Sequence, residues 1–480
     1  MDARSGRMHD RSPGDSVWRR VLPVRRGEWP ALLWSVVFHF CILAGYYIIR
    51  PVRDEIGAEY HSQVQVTWTI VFVVTLGVIP LYAALASARR RRIFLPGLYA
   101  FFVVNIGIFY ALLTRAGEDR PTWLEWTFYI WCSVFNLFAV TAFWGFMADA
   151  WRNDQSRRLF GIIAVGGSLG GVAGPAITHV LVKPIGRDGL LLIAAGLLAT
   201  AACCAWGLDR LLRRSPASTA TDDRPRETST YATAKSTSPG SLAACVVRAI
   251  GAVFSSPYLL GIAAFLLIQS LGSTFLYFEK LELIGEAIVD RDQRTRFFAR
   301  IDLYVNIATM LVQCLLLARI IRVMGVGRTL VIRPLITVVG FVILGASLLL
   351  AADSEASNGV RIVFFALVLF EVARRAGNYA LAKPTREMLF TVIAPDQKYR
   401  SKAFIDTVMY RGSDMVNGWF FHGLRAAGVS LAAIAFTAVP FAAAGLGIGL
   451  WLGRRQDQLA VESEDRGTAG AVTSPASSTS

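Results

Sequence analysis

Charge is what this chain has too little of. Only 17% of its 480 residues are Asp, Glu, Lys or Arg and 54% are hydrophobic, whereas a typical soluble domain is roughly 25% charged. An ordinary water-soluble globule is excluded. The six cysteines, Cys41, Cys132, Cys203, Cys204, Cys245 and Cys314, show no paired metal-ligand spacing and read as small packing residues. The five histidines form no HExxH or similar cluster, and His39 reads as a satisfied group inside the first apolar run. With no nucleophile motif, metal cluster or soluble catalytic segment, neither an enzyme nor a resident cofactor is expected. The first 27 or so residues are polar and basic with no apolar stretch, unlike a cleavable signal peptide. The first apolar run is expected to direct insertion.

What is present in quantity is the apolar run of about 20 residues, the length that crosses a bilayer as a helix. Twelve are legible, at about 31–49, 64–85, 93–113, 123–146, 159–181, 189–208, 257–278, 301–321, 330–351, 360–380, 403–424 and 429–452. The expected fold is all-α and polytopic, in two six-helix bundles. The net charge of +15 falls in alternate loops: Arg19, Arg20, Arg25 and Arg26 precede the first run, Arg89 to Arg92 follow the second, and Lys398 and Arg400 follow the tenth. Positive-inside bias then places both termini in the cytoplasm. No basic stripe is left over for nucleic acid. Residues 1–27 read as a cytoplasmic tail, 28–212 as one bundle, 213–250 as a flexible linker rich in Ser, Thr and Pro, 251–455 as the second bundle, and 456–480 as a disordered tail.

Several apolar runs carry charge that needs a reason. Ionisable groups at bilayer depth cost roughly 2.5–3.5 kcal/mol each on insertion scales and usually face a bundle interior or a watery cavity. In the first run Tyr46, Arg50 and Asp54 recur at i,i+4 with Arg53 beside them, a compact site able to fork onto phosphate or carboxylate oxygens. The alternative makes Arg50 a headgroup anchor and Pro51 a helix end. In the tenth run Glu371 is spaced to pair with Arg374 or Arg375, and Lys383 and Glu387 follow around Pro384, which should break or kink the helix. In the eleventh, Lys402 and Asp406 share a face at i,i+4, and Arg411 and Asp414 pair at i,i+3. The charged stretch between the seventh and eighth runs reads as a solvated outer loop, with an amphipathic helix along 278–288.

In GGSLGGVAGP of the fifth run, Gly166, Gly170 and Gly174 repeat every four residues, as close helix packing requires. A phosphate-cradling loop would need a preceding strand and a following lysine. NDQSRRLF after the fourth run and PDQKYRSKAF after the tenth occupy equivalent positions of a six-plus-six layout, the signature of a parallel repeat. RIIRVMGVGRTLVIRP after the eighth is similar to the basic, glycine-containing turn of major facilitator transporters.

Four patches, YYIIRPVRDEIG, FWGFMAD, KPTREML and KYRSKAFID leading into YRGSD, resemble the ATP/ADP translocase family of plastids and obligate intracellular bacteria. The resemblance implies a major facilitator-like fold that exchanges nucleotide for nucleotide, with cations of the first and eleventh helices meeting the phosphates. By position, the family's first-helix lysine corresponds to Arg53, with Arg50 and Asp54 beside it, and the basic residues heading the eleventh helix correspond to Arg400 and Lys402. The chain departs from the family at its fourth-helix glutamate, where Cys132 or an apolar neighbour stands, and Glu279 and Glu282 are displaced from the glutamate of the seventh or eighth helix. It is therefore similar to a distant bacterial branch, which implies a bacterial inner membrane as its location.

The expected function is secondary transport of a small organic anion, with Arg50, Arg53, Arg400, Lys402 and Arg411 holding it. Asp54, Glu371, Arg374, Arg375, Asp406 and Asp414 would balance charge and switch partners. A proton-coupled facilitator of another solute is the alternative, and a non-transporting scaffold for lipid or envelope assembly is a third reading. Lipid is the other expected partner; the sequence leaves the oligomeric state open and is compatible with a monomer.

Overall fold

The computed structural model describes residues 24–88, 91–214, 251, 253–352, 356–393, 401–402 and 404–472. The helices are α1 (Trp29–Glu59), α2 (Val64–Ala88), α3 (Arg91–Ala116), α4 (Thr122–Ala150), α5 (Asn153–Arg214), α6 (Pro257–Ala287), α7 (Arg291–Leu315), α8 (Leu317–Ala352), α9 (Ala356–Gly377), α10 (Lys383–Leu389), α11 (Tyr410–Ala426) and α12 (Leu431–Val472). α5 is two spans joined at Gly186, whose φ of 68° breaks the helix where only glycine turns without strain. Gly325, at φ 72°, separates the ninth span from the short segment before it in α8 in the same way.

Nine helices among the described residues are long and apolar enough to cross a membrane, α5 counting once for both its arms. The expected spans 360–380 and 403–424 fall below that measure for a physical reason. The first carries Glu371, Arg374 and Arg375, and the second is interrupted by a π turn at Ile405–Met409 around Asp406. A second π turn, Asn378–Ala382, precedes Pro384. Proline cannot donate to the carbonyl four residues back, and a wider turn absorbs the mismatch. Large apolar side chains such as Phe101, Leu350 and Phe365 lie exposed on the outside, a lipid-facing surface rather than an error of packing.

The glycine repeat brings α5 onto α1. A Cβ on Gly166 would stand 2.4 Å from the Val36 carbonyl oxygen, on Gly170 2.4 Å from that of Phe40, and on Gly174 2.6 Å from that of Ala44. His39 is indeed satisfied, its Nδ1 lying 3.0 Å from the Ile163 carbonyl oxygen. Gly170→Ala is expected to cost about 1–3 kcal/mol through backbone displacement, read as a lowered thermal midpoint. Gly161→Ala, where nothing lies within 4 Å, should leave the midpoint unchanged.

The helix expected along 278–288 is present as the end of α6, but the rest of the stretch expected as a solvated outer loop is helix too. α6 runs to Ala287 and α7 starts at Arg291, leaving residues 288–290 as the connection. Several of its charges do not demand water because they find partners on other helices: Lys280 with Glu371, Glu282 with Arg425, Arg294 with Glu59 and Asp302 with Arg50. Nor is Pro51 a helix end, since α1 continues through it to Glu59. The tail expected to be disordered from residue 456 continues α12 to Val472, with Leu459 packed on the apolar cluster around Tyr258 and Leu389. The linker expected at 213–250 lies, apart from its first two residues, outside the described residues.

Candidate functional site

Four charged stretches that are far apart in sequence meet in the interior. Arg50 is buried, and its Nη1 donates to Asp302 Oδ1 of α7 at 2.6 Å, so it is no headgroup anchor. The same oxygen accepts from Arg375 Nη1 of α9 at 2.7 Å. One carboxylate thus joins α1 of the first half to α7 and α9 of the second. Arg53 forks onto Asp54 Oδ1 from Nε at 3.1 Å and Nη2 at 2.5 Å, while Arg50 Nη2 stands 3.7 Å from Asp54 Oδ2. On the other side of the network Glu371 takes Lys280 Nζ of α6 at 3.0 Å and Arg374 Nη2 at 3.0 Å, with Arg375 Nη1 at 3.7 Å. Arg374 Nη1 and Arg333 Nη2 of α8 both donate to Ser273 Oγ at 2.8 Å.

A chain of rings orients Asp54. The Trp68 indole N–H can only donate, and it does so to Tyr129 Oη at 2.8 Å. Tyr129 then donates to Tyr277 Oη, 3.1 Å away, and Tyr277 donates to Asp54 Oδ1 at 3.1 Å. Aromatic faces also lie beside the cations: Lys280 Nζ is 4.8 Å from the Tyr277 ring centre, the Arg53 guanidinium 5.6 Å from that of Tyr129, and Lys383 Nζ 4.9 Å from that of Tyr379.

The charges do not cancel. Six cations, Arg50, Arg53, Lys280, Arg333, Arg374 and Arg375, face three carboxylates, Asp54, Asp302 and Glu371. Arg333 has no carboxylate within ion-pair distance among the described residues. Its Nε, Arg374 Nε, Arg375 Nη2 and the Gln269 amide nitrogen are buried donors without a partner, and Asp302 Oδ2 is a buried acceptor without one. Unpaired buried donors of a guanidinium are costly, and an anion with several oxygens would satisfy them.

The sequence candidates divide between this network and other places. Arg50, Arg53, Asp54, Glu371, Arg374 and Arg375 come together. Asp414 accepts from Ser270 of α6 at 2.6 Å instead of pairing with Arg411, which has no carboxylate within ion-pair distance among the described residues. Lys402 pairs with Glu387 at 2.5 Å and Asp406 with Arg386 at 3.3 Å. The expected pair Lys402 with Asp406 does not form, because neighbours across the bundle offer better geometry than the same helix face. Arg400 lies outside the described residues. Reasoning on sequence missed Lys280, Asp302 and Arg333. A signal for the first was available: Gln269, Ser273, Tyr277 and Lys280 form one polar stripe at helical spacing along α6.

A second charged layer ties the two halves together at the Glu59 end of α1, remote from Trp29. Arg291 of α7 pairs with Glu55 at 2.5 Å and Glu125 at 2.8 Å, Arg187 reaches Glu55 at 3.4 Å, and Arg294 pairs with Glu59. A Cβ on Gly285 would stand 2.5 Å from the Ala58 carbonyl oxygen, so α1 and α6 touch there. Toward the opposite end, the Lys402–Glu387, Arg386–Asp406 and Arg158–Glu28 pairs each stay within one half.

Residues 24–383 match the model of the Major Facilitator Superfamily. The chain is 20% identical over 439 residues to ADP,ATP carrier protein 1 of Chlamydia trachomatis serovar D, covering 81% of each sequence. Its fold is similar to that of a bacterial homologue of the iron transporter ferroportin in the inward-facing state, with a TM-score of 0.60 at 10% identity over 89% of this chain and 98% of that one. It is also similar to a variant of the nucleoside transporter NupG, with a TM-score of 0.55 at 11% identity over 89% and 99%. The fold, the membrane-spanning helices and the matched family agree, and the chain belongs to the Major Facilitator Superfamily as a multi-pass membrane transporter.

Proposed function

We propose that this transporter exchanges phosphorylated organic anions, nucleotides of the ATP and ADP type, by alternating access between its two six-helix halves. The observation that carries the reading is the buried cationic excess with partnerless guanidinium donors on Arg333, Arg374 and Arg375. Supporting it is the similarity to a protein named as an ADP,ATP carrier. In this reading Arg50, Arg53, Lys280, Arg333, Arg374 and Arg375 surround the phosphates, and Asp54, Asp302 and Glu371 hold the same cations while no substrate is present. Lys402 and Arg411 serve the approach from the cytoplasmic side, and Asp414 and Asp406 balance charge on the eleventh span. With both termini in the cytoplasm of an inner membrane, the closed remote end is the outer one and the described state faces inward. The protein acts as a monomer in this reading.

The test is uptake of labelled ATP into proteoliposomes with and without ADP preloaded. Preload-dependent uptake supports exchange, and no uptake in either condition from folded protein rejects nucleotide as substrate. Arg291→Ala removes both cross-half pairs to Glu55 and Glu125 and is expected to raise outward opening, measured as faster labelling of a cysteine placed at Ser273 by a membrane-impermeant thiol reagent. Unchanged labelling would remove Arg291 from the outer closure.

One observation favours a second reading, proton coupling. Glu279 is fully buried, neither of its carboxyl oxygens has a hydrogen-bond partner, and no cation lies within ion-pair distance among the described residues. A carboxyl group so placed is a site for a carried proton. Uptake driven by a pH gradient without counter-substrate, and lost in Glu279→Gln, would select it.

A further inference from the structure

Away from the central network, a cavity of about 260 Å³ opens where α5 of the first half meets α7 of the second, lined by Lys183, Ile288, Gln293, Arg296, Phe297 and Arg300. A water occupies roughly 30 Å³ of liquid, so the space admits a group much larger than one. Its charge is of one sign. The arginines of the neighbouring closure, Arg120, Arg187, Arg291 and Arg294, each pair with a carboxylate. Lys183, Arg296 and Arg300 have no carboxylate within ion-pair distance among the described residues. Asp290 is near enough to feel Lys183, but its oxygens are taken by the backbone N–H groups of Asp292 at 2.8 Å and Gln293 at 3.2 Å and by the Gln293 amide at 3.0 Å. Arg296 Nε donates to the His179 carbonyl oxygen at 3.1 Å, which aligns that guanidinium along the seam. His179 Nδ1, also without a partner, lies within electrostatic reach of Arg296 and Arg300.

The site sits at headgroup depth, because Lys183 comes just before the bend at Gly186 and α7 begins at Arg291. Ile288 and Phe297 supply an apolar wall beside the cations. Basic pockets between spanning helices on the cytoplasmic side of membranes bind lipid headgroup phosphates, and the same kind of groups is gathered here. We infer that this cavity binds a phosphate group, supplied by the headgroup of an anionic phospholipid or by soluble phosphate. A phosphate held there contacts both halves at once and stabilises the state in which the remote end is closed.

The test uses the purified full chain in vesicles of phosphatidylcholine alone, in phosphatidylcholine with phosphatidylglycerol, and in phosphatidylcholine with millimolar inorganic phosphate. Thermal midpoints are compared for wild type, for Lys183→Gln with Arg300→Gln, and for Arg296→Gln. Lys183 and Arg300 are exposed, so their double variant is expected to fold and to keep the wild-type midpoint in phosphatidylcholine. The expected result is a midpoint raised by a few degrees with phosphatidylglycerol in wild type, most of it lost in both variants. A variant-sensitive rise with inorganic phosphate alone also upholds the phosphate site and makes its source soluble. A rise of equal size in wild type and variants, or none in either arm, overturns the inference.

Discussion

Asp302→Ala is expected to abolish transport and to destabilise the protein by about 3–5 kcal/mol, the cost of removing one partner from a buried charge pair. Asp302 Oδ1 accepts from Arg50 at 2.6 Å and Arg375 at 2.7 Å. Without it two guanidiniums that share one oxygen face each other across the halves in a low-dielectric interior, and their repulsion has no counter-charge. The loss should be partly reversed by ATP, because the substrate's phosphates would take the carboxylate's place. Thermal midpoints with and without ATP, alongside proteoliposome uptake, measure both effects. A variant with a wild-type midpoint would show that the carboxylate bridge does not join α1 to α9. A midpoint lowered but indifferent to ATP would count against phosphates binding between Arg50 and Arg375.

Arg53→Ala should leave insertion and folding intact and lower nucleotide uptake by about ten- to hundred-fold, the equivalent of one lost charge-assisted hydrogen-bond pair at roughly 1.5–3 kcal/mol. Folding survives because Asp54 keeps the Tyr277 hydroxyl at 3.1 Å and the Arg50 guanidinium at 3.7 Å. Arg53→Lys should fall between, retaining the charge without the planar fork. Lys402→Ala should cost less than Arg53→Ala, since Lys402 is paired with Glu387 at a half-exposed position. Uptake equal to wild type in both Arg53 variants would move the anion to Arg333 and Arg374. A larger loss at Lys402 than at Arg53 would instead place the phosphates near the eleventh span.

Much of the site was readable because its members lie close in sequence. Arg50, Arg53 and Asp54 share one helix turn, as do Glu371, Arg374 and Arg375, and helical spacing alone puts each trio on a common face. Partner choice was not readable. Glu371 does pair with Arg374 as spacing suggests, but Lys402, Asp406 and Asp414 all leave their same-helix partners for Glu387, Arg386 and Ser270. Pairing at i,i+4 is worth only about 0.2–0.5 kcal/mol, too little to hold a side chain against a better-placed group on another element.

Composition and periodicity determined by themselves that this is a polytopic helical membrane protein of two six-helix halves, since runs of about 20 apolar residues have no other stable arrangement in lipid. The glycine repeat of α5 likewise announced its close contact with α1. Only the tertiary structure decided that Lys280, Glu282, Arg294 and Asp302 are buried against partners on other helices and not solvated. Hydropathy scores each residue as if it met the bilayer alone. A charge buried against an opposite charge from a distant helix escapes that score, and the partner is known only once the chain has folded.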